Sequence, residues 1–263
     1  MELKCDVLVV GGGSGGVAAA LAATDLGRAV ILSEVGSWVG GQLTSQAVPP
    51  DEHPWVESTG TTARYRRLRN SVRALYRQTR QLTAIARRDP YFNPGAAWVS
   101  NLSAEPTVFR EVLDQELRPA ETRGLLRRLM SHRPVAAAME GDHITAVTLV
   151  NLQTGDQLTI QAQYVLEATE EGDLLPLARC ESVLGAESVA STGEPHALPG
   201  LSDPQDQQAI TWCAALEWPG ENHTIDRPRS YAFWQRHRVD FWPGPQLGWR
   251  TQEPETGRPL SRP

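Results

Sequence analysis

The N-terminal part of the chain places a glycine-rich segment between short apolar runs. Cys5 to Val10 (CDVLVV) is apolar and β-branched, which predicts a strand buried on both faces. Positions 11–16 contain five glycines and predict a turn. Ser14 to Leu26 is rich in alanine and predicts a helix that ends near Gly27, and residues 29–33 (AVILS) predict a second buried strand. This order of elements predicts a βαβ unit.

Residues 49–117 follow a different pattern. Prolines predict an irregular loop at 49–55, and apolar residues at helical spacing predict one or two helices over Arg64 to Arg88. This stretch contains nine arginines and no acid. It is either a basic surface for an anionic ligand or a helix face whose arginines pair with acids elsewhere, and the second interpretation is favoured. Glu105 to Leu117, with Pro106 early in the segment, predicts another helix.

From residue 132 onward apolar and polar residues alternate. The alternation predicts three strands joined by tight turns, at Pro134 to Met139, His143 to Leu152 and Gln157 to Val165. The third runs on into Tyr164 to Ala168 (YVLEA), which predicts a return to the buried sheet.

The pattern weakens from residue 188. This part holds ten of the 19 prolines and five of the eight tryptophans: Trp212, Trp218, Trp234, Trp242 and Trp249. Helices are predicted at Gln205 to Leu216 and Arg229 to Arg238. So many tryptophans without a regular period indicate a surface that packs on something else.

Composition narrows the class of protein. With 263 residues, 40% of them hydrophobic, the chain can form one large domain or two ordinary ones. A net charge of −6 favours neither nucleic acid nor an anionic membrane as partner. Cys5, Cys180 and Cys213 are too sparse for a disulfide framework, and the sequence has no metal-ligand spacing. Without an expected signal peptide or membrane span, the prediction is a soluble, cytoplasmic protein.

The glycine segment has the spacing Gly11-x-Gly13-x-x-Gly16. The first glycine permits a tight turn, the second lets the backbone approach a pyrophosphate, and the third lets the helix pack against the strand. The helix N-terminus presents free N–H groups to the phosphates. Glu34, directly after the second predicted strand, would accept hydrogen bonds from both ribose hydroxyls and would repel the 2′-phosphate of NADP. The pattern therefore predicts a dinucleotide site.

Later residues favour a flavin over a nicotinamide cofactor. A plain NAD domain usually has a third parallel strand soon after the second, whereas about a hundred residues here precede the three predicted strands and the stretch Glu167 to Asp173 (EATEEGD). At these residues the chain resembles the glutathione-reductase-type flavoproteins, specifically the FAD-dependent oxidoreductase family that shares an ATxxGDL segment. The resemblance covers nearly the whole chain, including PPDEHPW (49–55), GAES (185–188), TGEP (192–195), DQQAITWC (206–213) and FWPGPQL (241–247).

The resemblance implies an α/β fold. The expected architecture is a Rossmann-like FAD/NAD(P)-binding domain with a parallel sheet, a three-stranded β-meander and an irregular helical and loop substrate region. The expected domains are an FAD-binding domain (1–48 and 120–187), a helical insertion (49–119) and a partial substrate or cap region (188–263). The implied activity is that of an FAD-dependent oxidoreductase transferring a hydride from a small-molecule substrate to flavin N5.

The resemblance also implies which residues hold FAD. The pyrophosphate would lie on four residues of the first loop: Gly11, Gly13, Ser14 and Gly16. The pyrophosphate and ribityl chain would also meet a second glycine-rich turn: Gly40, Gly41 and Gln42. Glu34 would hold the adenosine ribose, backbone groups at Val135 would meet adenine, and Ala168 and Thr169 would form a turn packed near the cofactor.

Two departures from the family pattern bear on this site. Glu170 stands where the family has a glycine after the Ala-Thr pair, although Gly172-Asp173 is expected to restore the turn. No later segment returns a final strand and a "GD" turn to the pyrophosphate. The chain is then a truncated gene, a split subunit or a domain that binds FAD weakly, and a second chain or missing C-terminal segment would complete the FAD domain.

The sequence does not identify a catalytic residue. Six histidines are candidates for a base, and those at 53 and 196 lie in family-like segments, but a structural or surface role is favoured for each. Two other functions stay open. One is a catalytically incomplete flavin-binding subunit that needs a partner chain, and the other is an ordinary NAD-dependent dehydrogenase.

Overall fold

The chain consists of two compact units, residues 1–215 and 216–263. The computed structural model describes residues 2–97, 100–208, 213, 220–238, 250–252 and 258–261. The three-domain division expected from the sequence stays a prediction.

The first unit contains one six-stranded sheet. Its strands are β1 (Glu2–Val10), β2 (Val30–Glu34), β3 (Leu126–Met130), β4 (His132–Glu140), β5 (His143–Asn151) and β6 (Gln157–Glu167). Their order across the sheet is β3-β2-β1-β6-β5-β4. The described residues of this unit form six α-helices and a short 3-10 helix at Gly41–Leu43. The α-helices are α1 (Ser14–Asp25), α2 (Ala63–Thr79), α3 (Ala84–Arg88), α4 (Pro106–Thr122), α5 (Leu174–Leu177) and α6 (Val189–Thr192). The predicted α/β class is confirmed.

The second unit is described only in short pieces. Helix α7 (Tyr231–Arg236) lies within the predicted helix at 229–238, and β7 (Arg250–Gln252) pairs antiparallel with β8 (Pro259–Ser261). Of the C-terminal tryptophans, Trp234 is described, and it contacts Phe233 edge to face. The other four, and most of the predicted helix at 205–216, lie outside the described residues.

Four strands form the parallel part of the sheet, with β1 at its centre. β1 pairs in parallel with β2 and with β6, and β2 pairs in parallel with β3. The pairing of β1 with β6 starts at Glu2, so β1 begins earlier than the predicted Cys5. The strand β3 was missed in the sequence because two arginines, Arg127 and Arg128, interrupt its apolar residues, although Leu126 and Leu129 are buried.

The predicted meander is confirmed. β4 pairs antiparallel with β5, and β5 with β6, so three consecutive strands lie side by side. The last strand then continues beside β1 as far as Glu167, as the YVLEA pattern predicted. This crossing brings the end of β6 next to the end of β1.

Both faces of the parallel strands are covered. Val7 and Val9 of β1 belong to a core shared with α1, α2 and α4, whereas Leu8 and Val10 belong to a second core shared with β5 and β6. Because successive side chains of a strand point to opposite faces, an unbroken apolar run is what this arrangement requires. Among the described residues, no helix has both the length and the apolar character needed to cross a bilayer.

The arginine-rich stretch forms two helices, α2 and α3, and among the described residues four of its nine arginines contact acids. Arg64 contacts Asp25 and Glu116, and Arg80 lies 2.8 Å from Glu105. For these four arginines, the interpretation that they pair with acids elsewhere in the chain is confirmed.

Two of these arginines are buried, which a solvated helix face would not require. Arg69 is 2% exposed and Arg73 is 1% exposed. Arg69 contacts Glu52 and Glu57, and Arg73 contacts Glu57 and donates from Nε to the carbonyl oxygen of Phe92 over 2.9 Å. The network therefore joins α2 to the predicted loop after residue 49 and to the loop before α4.

Burial shifts the pKa of two groups in the network, Arg69 and Tyr65. Burial, together with the neighbouring charge of Arg73, lowers the pKa of Arg69 to about 10, so this guanidinium remains protonated at neutral pH. Burial and the charge of Glu57 raise the pKa of Tyr65 to about 12, so its hydroxyl stays a donor to Glu52. Ion pairs this deep lose their solvation and depend on each other.

We expect Arg69→Met to lower the free energy of unfolding by about 3–5 kcal/mol, because the Glu52 carboxylate, 2% exposed, would lose its buried ion-pair partner. Arg67→Met is the matched control on the same helix, at an exposed position, and should change stability by less than about 0.5 kcal/mol. Urea unfolding followed by circular dichroism measures both. Equal effects of the two variants would contradict a structural role for the buried network.

Candidate functional site

A cleft of about 360 Å³ lies at the carboxyl ends of β1, β2 and β6. In open α/β sheets this edge is where ligands bind, because the loops that follow the strands diverge there. The glycine-rich loop after β1 and the turn after β6 face each other across it. Gly11, Gly13, Glu34, Gly41, Ala168 and Thr169 are among the residues that line it.

The glycine loop is shaped by its contact with the turn after β6. Gly11 has a φ of +104°, and a Cβ there would lie 2.2 Å from the carbonyl oxygen of Ala168. A Cβ on Gly16 would lie 2.0 Å from the carbonyl oxygen of Gly11. Gly11 therefore avoids a clash between the backbone at the ends of β1 and β6, and Gly16 avoids a clash between α1 and the loop before it.

The second glycine pair is tied to the first loop by hydrogen bonds. The amide of Gly40 donates to the carbonyl oxygen of Gly12 over 2.7 Å, and the Ser14 hydroxyl donates to the carbonyl oxygen of Gly40 over 3.1 Å. Gly40 has a φ of +110°, and a Cβ there would lie 2.6 Å from Leu113 of α4. The two turns are thus held together as one backbone surface.

Glu34 lies at the tip of β2 and faces the cleft. One carboxylate oxygen accepts from the amide of Gly12 over 2.8 Å, and the other accepts from the amide of Gly36 over 2.7 Å. The carboxylate is held in place by two backbone donors, and each of its oxygens keeps further acceptor capacity for a ligand hydroxyl.

The turn after β6 is organised by a residue that the sequence did not single out. The carboxylate of Glu167 accepts from the amide of Thr169 over 2.5 Å and from the amide of Leu174 over 2.6 Å. The Thr169 hydroxyl accepts from the amide of Asp173 over 2.8 Å, and Gly172 has a φ of +71°. Gly172 therefore supplies the left-handed position in the turn, as expected. An acid that ends a strand just before a turn is the feature that could have indicated Glu167.

The cleft carries more negative than positive side chains. Glu34, Glu170, Glu171 and Asp173 line it together with Arg133 and His132. The positive contribution from the backbone is the N-terminus of α1, which has no side-chain cap and no acid in its first turn. The buried hydroxyl of Ser33 also lines the cleft and has no hydrogen-bond partner among the described residues.

The predicted site residues divide by location. Six of the eleven line the cleft, as given above. Gly16 and Gly40 are not among the residues that line the cleft, but Gly16 lies in the first turn of α1 and Gly40 lies in the second glycine turn beside it. Ser14 and Gln42 line a neighbouring cavity of about 320 Å³, where the Gln42 amide donates to Asp51 over 3.0 Å. Val135 lines a third cavity of about 790 Å³, which shares Arg133 and Pro134 with the cleft.

The histidines differ in their relation to the cleft. His132 lines it, with Nδ1 2.7 Å from the carbonyl oxygen of Met130. His53 is exposed and packs beside Trp55, and His196 is exposed as well. Of these three histidines, His132 is the one that lines the cleft, and it lies outside the family-like segments.

These features fit a dinucleotide diphosphate. Two glycine turns expose backbone without side chains, the N-terminus of α1 opens on the same wall, and a carboxylate stands at the tip of the neighbouring strand. Anions are stabilised at such a helix terminus by its N–H groups and dipole. The acidic side chains that line the cleft oppose an anion, and the one at position 170, which lies nearest Gly13 and Gly41, is considered below.

A family model described as FAD dependent oxidoreductase matches residues 6–254. No curated protein matches the chain.

Several solved structures are similar to part of the chain. Mycobacterium smegmatis Sdh1 in complex with UQ1 is 15% identical with a TM-score of 0.41, covering 64% of this chain and 34% of that one. L-proline dehydrogenase from P. horikoshii is 15% identical with a TM-score of 0.35, covering 64% and 23%. A geranylgeranyl bacteriochlorophyll reductase-like protein from Thermoplasma acidophilum is 17% identical with a TM-score of 0.38, covering 64% and 40%. This chain spans less than half the length of each.

We expect Gly11→Ala to lower the free energy of unfolding by more than about 2 kcal/mol, because the new Cβ meets backbone atoms at a φ that alanine avoids. Gly15→Ala is the control in the same motif, since a Cβ there has no atom within 4 Å and adds helix propensity. Thermal unfolding measures the stability of both variants. If Gly11→Ala were as stable as Gly15→Ala, the close approach of position 11 to Ala168 would not be required.

Proposed function

The chain belongs to the FAD dependent oxidoreductase family, and we propose that its first unit, residues 1–215, holds FAD in the cleft at the carboxyl ends of β1, β2 and β6. The diphosphate would lie along Gly11 to Gly13 and Gly41, at the N-terminus of α1. Glu34 would accept hydrogen bonds from the adenosine ribose. The adenine would extend toward the start of β4, near Arg133 and Val135.

The observation that carries this proposal is the pair of glycine turns joined by the Gly40 to Gly12 hydrogen bond. Together they leave a wall of bare backbone opposite the turn at Ala168 and Thr169. A structural turn alone would not need two glycine segments, one before α1 and one after β2, beside the same cleft. A bound diphosphate must approach the backbone closely, and glycines in both segments allow that approach.

Bound FAD would supply the redox chemistry, accepting a hydride from a small-molecule substrate at flavin N5. The part of this chain is to bind and orient the cofactor. The Glu34 carboxylate, fixed by two amides, would set the position of the ribose, and the 2.8 Å contact to Gly12 would couple that position to the phosphate loop.

We also propose that a further strand completes the sheet beside β6, supplied by a second chain or by a C-terminal segment. β6 pairs with β1 as far as Glu167 but with β5 only over Gln157 to Ile160. Among the described residues, the edge at 161–167 therefore has no strand beside it, and Tyr164 on this stretch is 68% exposed. Free strand edges of this kind are sites of strand addition.

Titration of the purified protein with FAD tests the cofactor proposal. We expect saturable binding by calorimetry and two visible flavin absorption bands after gel filtration. Glu34→Gln should weaken FAD binding by about tenfold, because it removes a charged acceptor for the ribose. Glu140→Gln makes the same change of charge at the exposed end of β4, away from the cleft, and should leave the affinity unchanged. Binding of NAD in place of FAD would contradict the proposal and favour a nicotinamide dehydrogenase.

Hydrogen exchange followed by mass spectrometry tests the added strand. If residues 161–167 are paired on both edges in the assembled protein, their amides should exchange as slowly as those of residues 159 and 160, which pair with both β1 and β5. Gel filtration with light scattering then assigns the strand to a second chain or to the same chain. Fast exchange confined to 161–167 would mean that no strand is added there.

A further inference from the structure

The side chain of Glu170 occupies the part of the cleft where the two glycine turns meet. One of its carboxylate oxygens, Oε1, lies 2.8 Å from the position that a Cβ on Gly13 would take and 2.6 Å from the position that a Cβ on Gly41 would take. A single oxygen thus fills the space that both glycines leave open. The space between Gly13 and Gly41 therefore accommodates a carboxylate oxygen.

The favourable charge beside this oxygen is the uncapped N-terminus of α1, whose N-cap is Gly13. Glu170 is exposed and forms no hydrogen bond or ion pair among the described residues. The charged groups that share the cleft are mostly of the same sign: Glu34, Glu171 and Asp173, with Arg133 and His132. The short turn from Ala168 to Gly172, fixed by Glu167, is what directs the side chain across the cleft.

We propose that Glu170 takes the place of the cofactor's diphosphate when the cleft is empty and must swing away when a dinucleotide binds. This inference rests on the proposed function, because it assigns the diphosphate to the same two turns. Glu170 then acts as a selectivity residue. It weakens binding of the anionic diphosphate but does not affect the neutral adenosine part of a ligand.

The physical reason is charge repulsion in a partly solvated cleft. A carboxylate and a phosphate about 4 Å apart repel each other by roughly 1 kcal/mol in water and more where solvent is partly excluded. Even after the side chain swings out, it remains near the ligand, and Glu171 and Asp173 limit where it can go. Removing the charge should therefore tighten diphosphate binding on the order of tenfold.

The test compares Glu170→Gln and Glu170→Gly with the matched control Glu171→Gln, which makes the same change of charge one residue away. FAD and ADP are titrated by calorimetry at low and high salt, and adenosine is titrated by ligand-observed NMR. We expect Glu170→Gln to bind FAD and ADP about tenfold more tightly than the wild type at low salt, with a smaller gain at high salt. Glu170→Gly should gain at least as much, Glu171→Gln clearly less, and adenosine should bind all four proteins equally.

The outcomes separate the two proposals. If neither the wild type nor any variant binds FAD or ADP, the proposed function fails and this inference fails with it. If the wild type binds FAD but Glu170→Gln binds it equally or more weakly, only the inference is overturned, and Glu170 is then neutral or a ligand of the cofactor. Equal gains for Glu170→Gln and Glu171→Gln, or a gain for adenosine, would also overturn it.

Discussion

The close approach of Gly11 to the turn at Ala168 and Thr169 is the constraint on which the site depends. β1 and β6 run side by side to their ends, so the loops that follow them leave the sheet in contact. With 2.2 Å between a would-be Cβ and the Ala168 carbonyl oxygen, only a residue without a side chain can continue the chain there. This contact fixes the floor of the cleft and sets where α1 begins.

A second set of contacts holds the flank of the cleft. Gln42 follows the second glycine pair and donates to the loop at Pro49 and Asp51, and the next residue, Glu52, is held by buried Arg69. The loop that borders the glycine turns is thus anchored to α2 by charge and not by apolar packing. Buried ion pairs lend a loop a defined position at a cost in desolvation that the rest of the core must offset.

The cleft combines features that oppose each other. Its backbone is arranged to receive an anion, with bare glycine turns and the N-terminus of α1, whereas its side chains are mainly acidic. The carboxylate of Glu34 is held at the tip of β2 by hydrogen bonds from two backbone amides. Glu170 has no such partners among the described residues, and one of its carboxylate oxygens lies between the two glycine turns, where the proposed diphosphate would bind.

The sequence by itself determined the βαβ unit, the glycine turn with Glu34 after it, and the meander, because each is set by neighbouring residues: apolar runs, alternation and turn chemistry. Only the tertiary structure decided the rest. β3 is a strand because it pairs with β2, in spite of Arg127 and Arg128. Arg69 and Arg73 are buried because Glu52 and Glu57, in the loop before α2, fold back onto the helix, and Glu170 enters the cleft because β6 ends beside β1. Such placements depend on contacts between residues far apart in the chain, which local patterns do not encode.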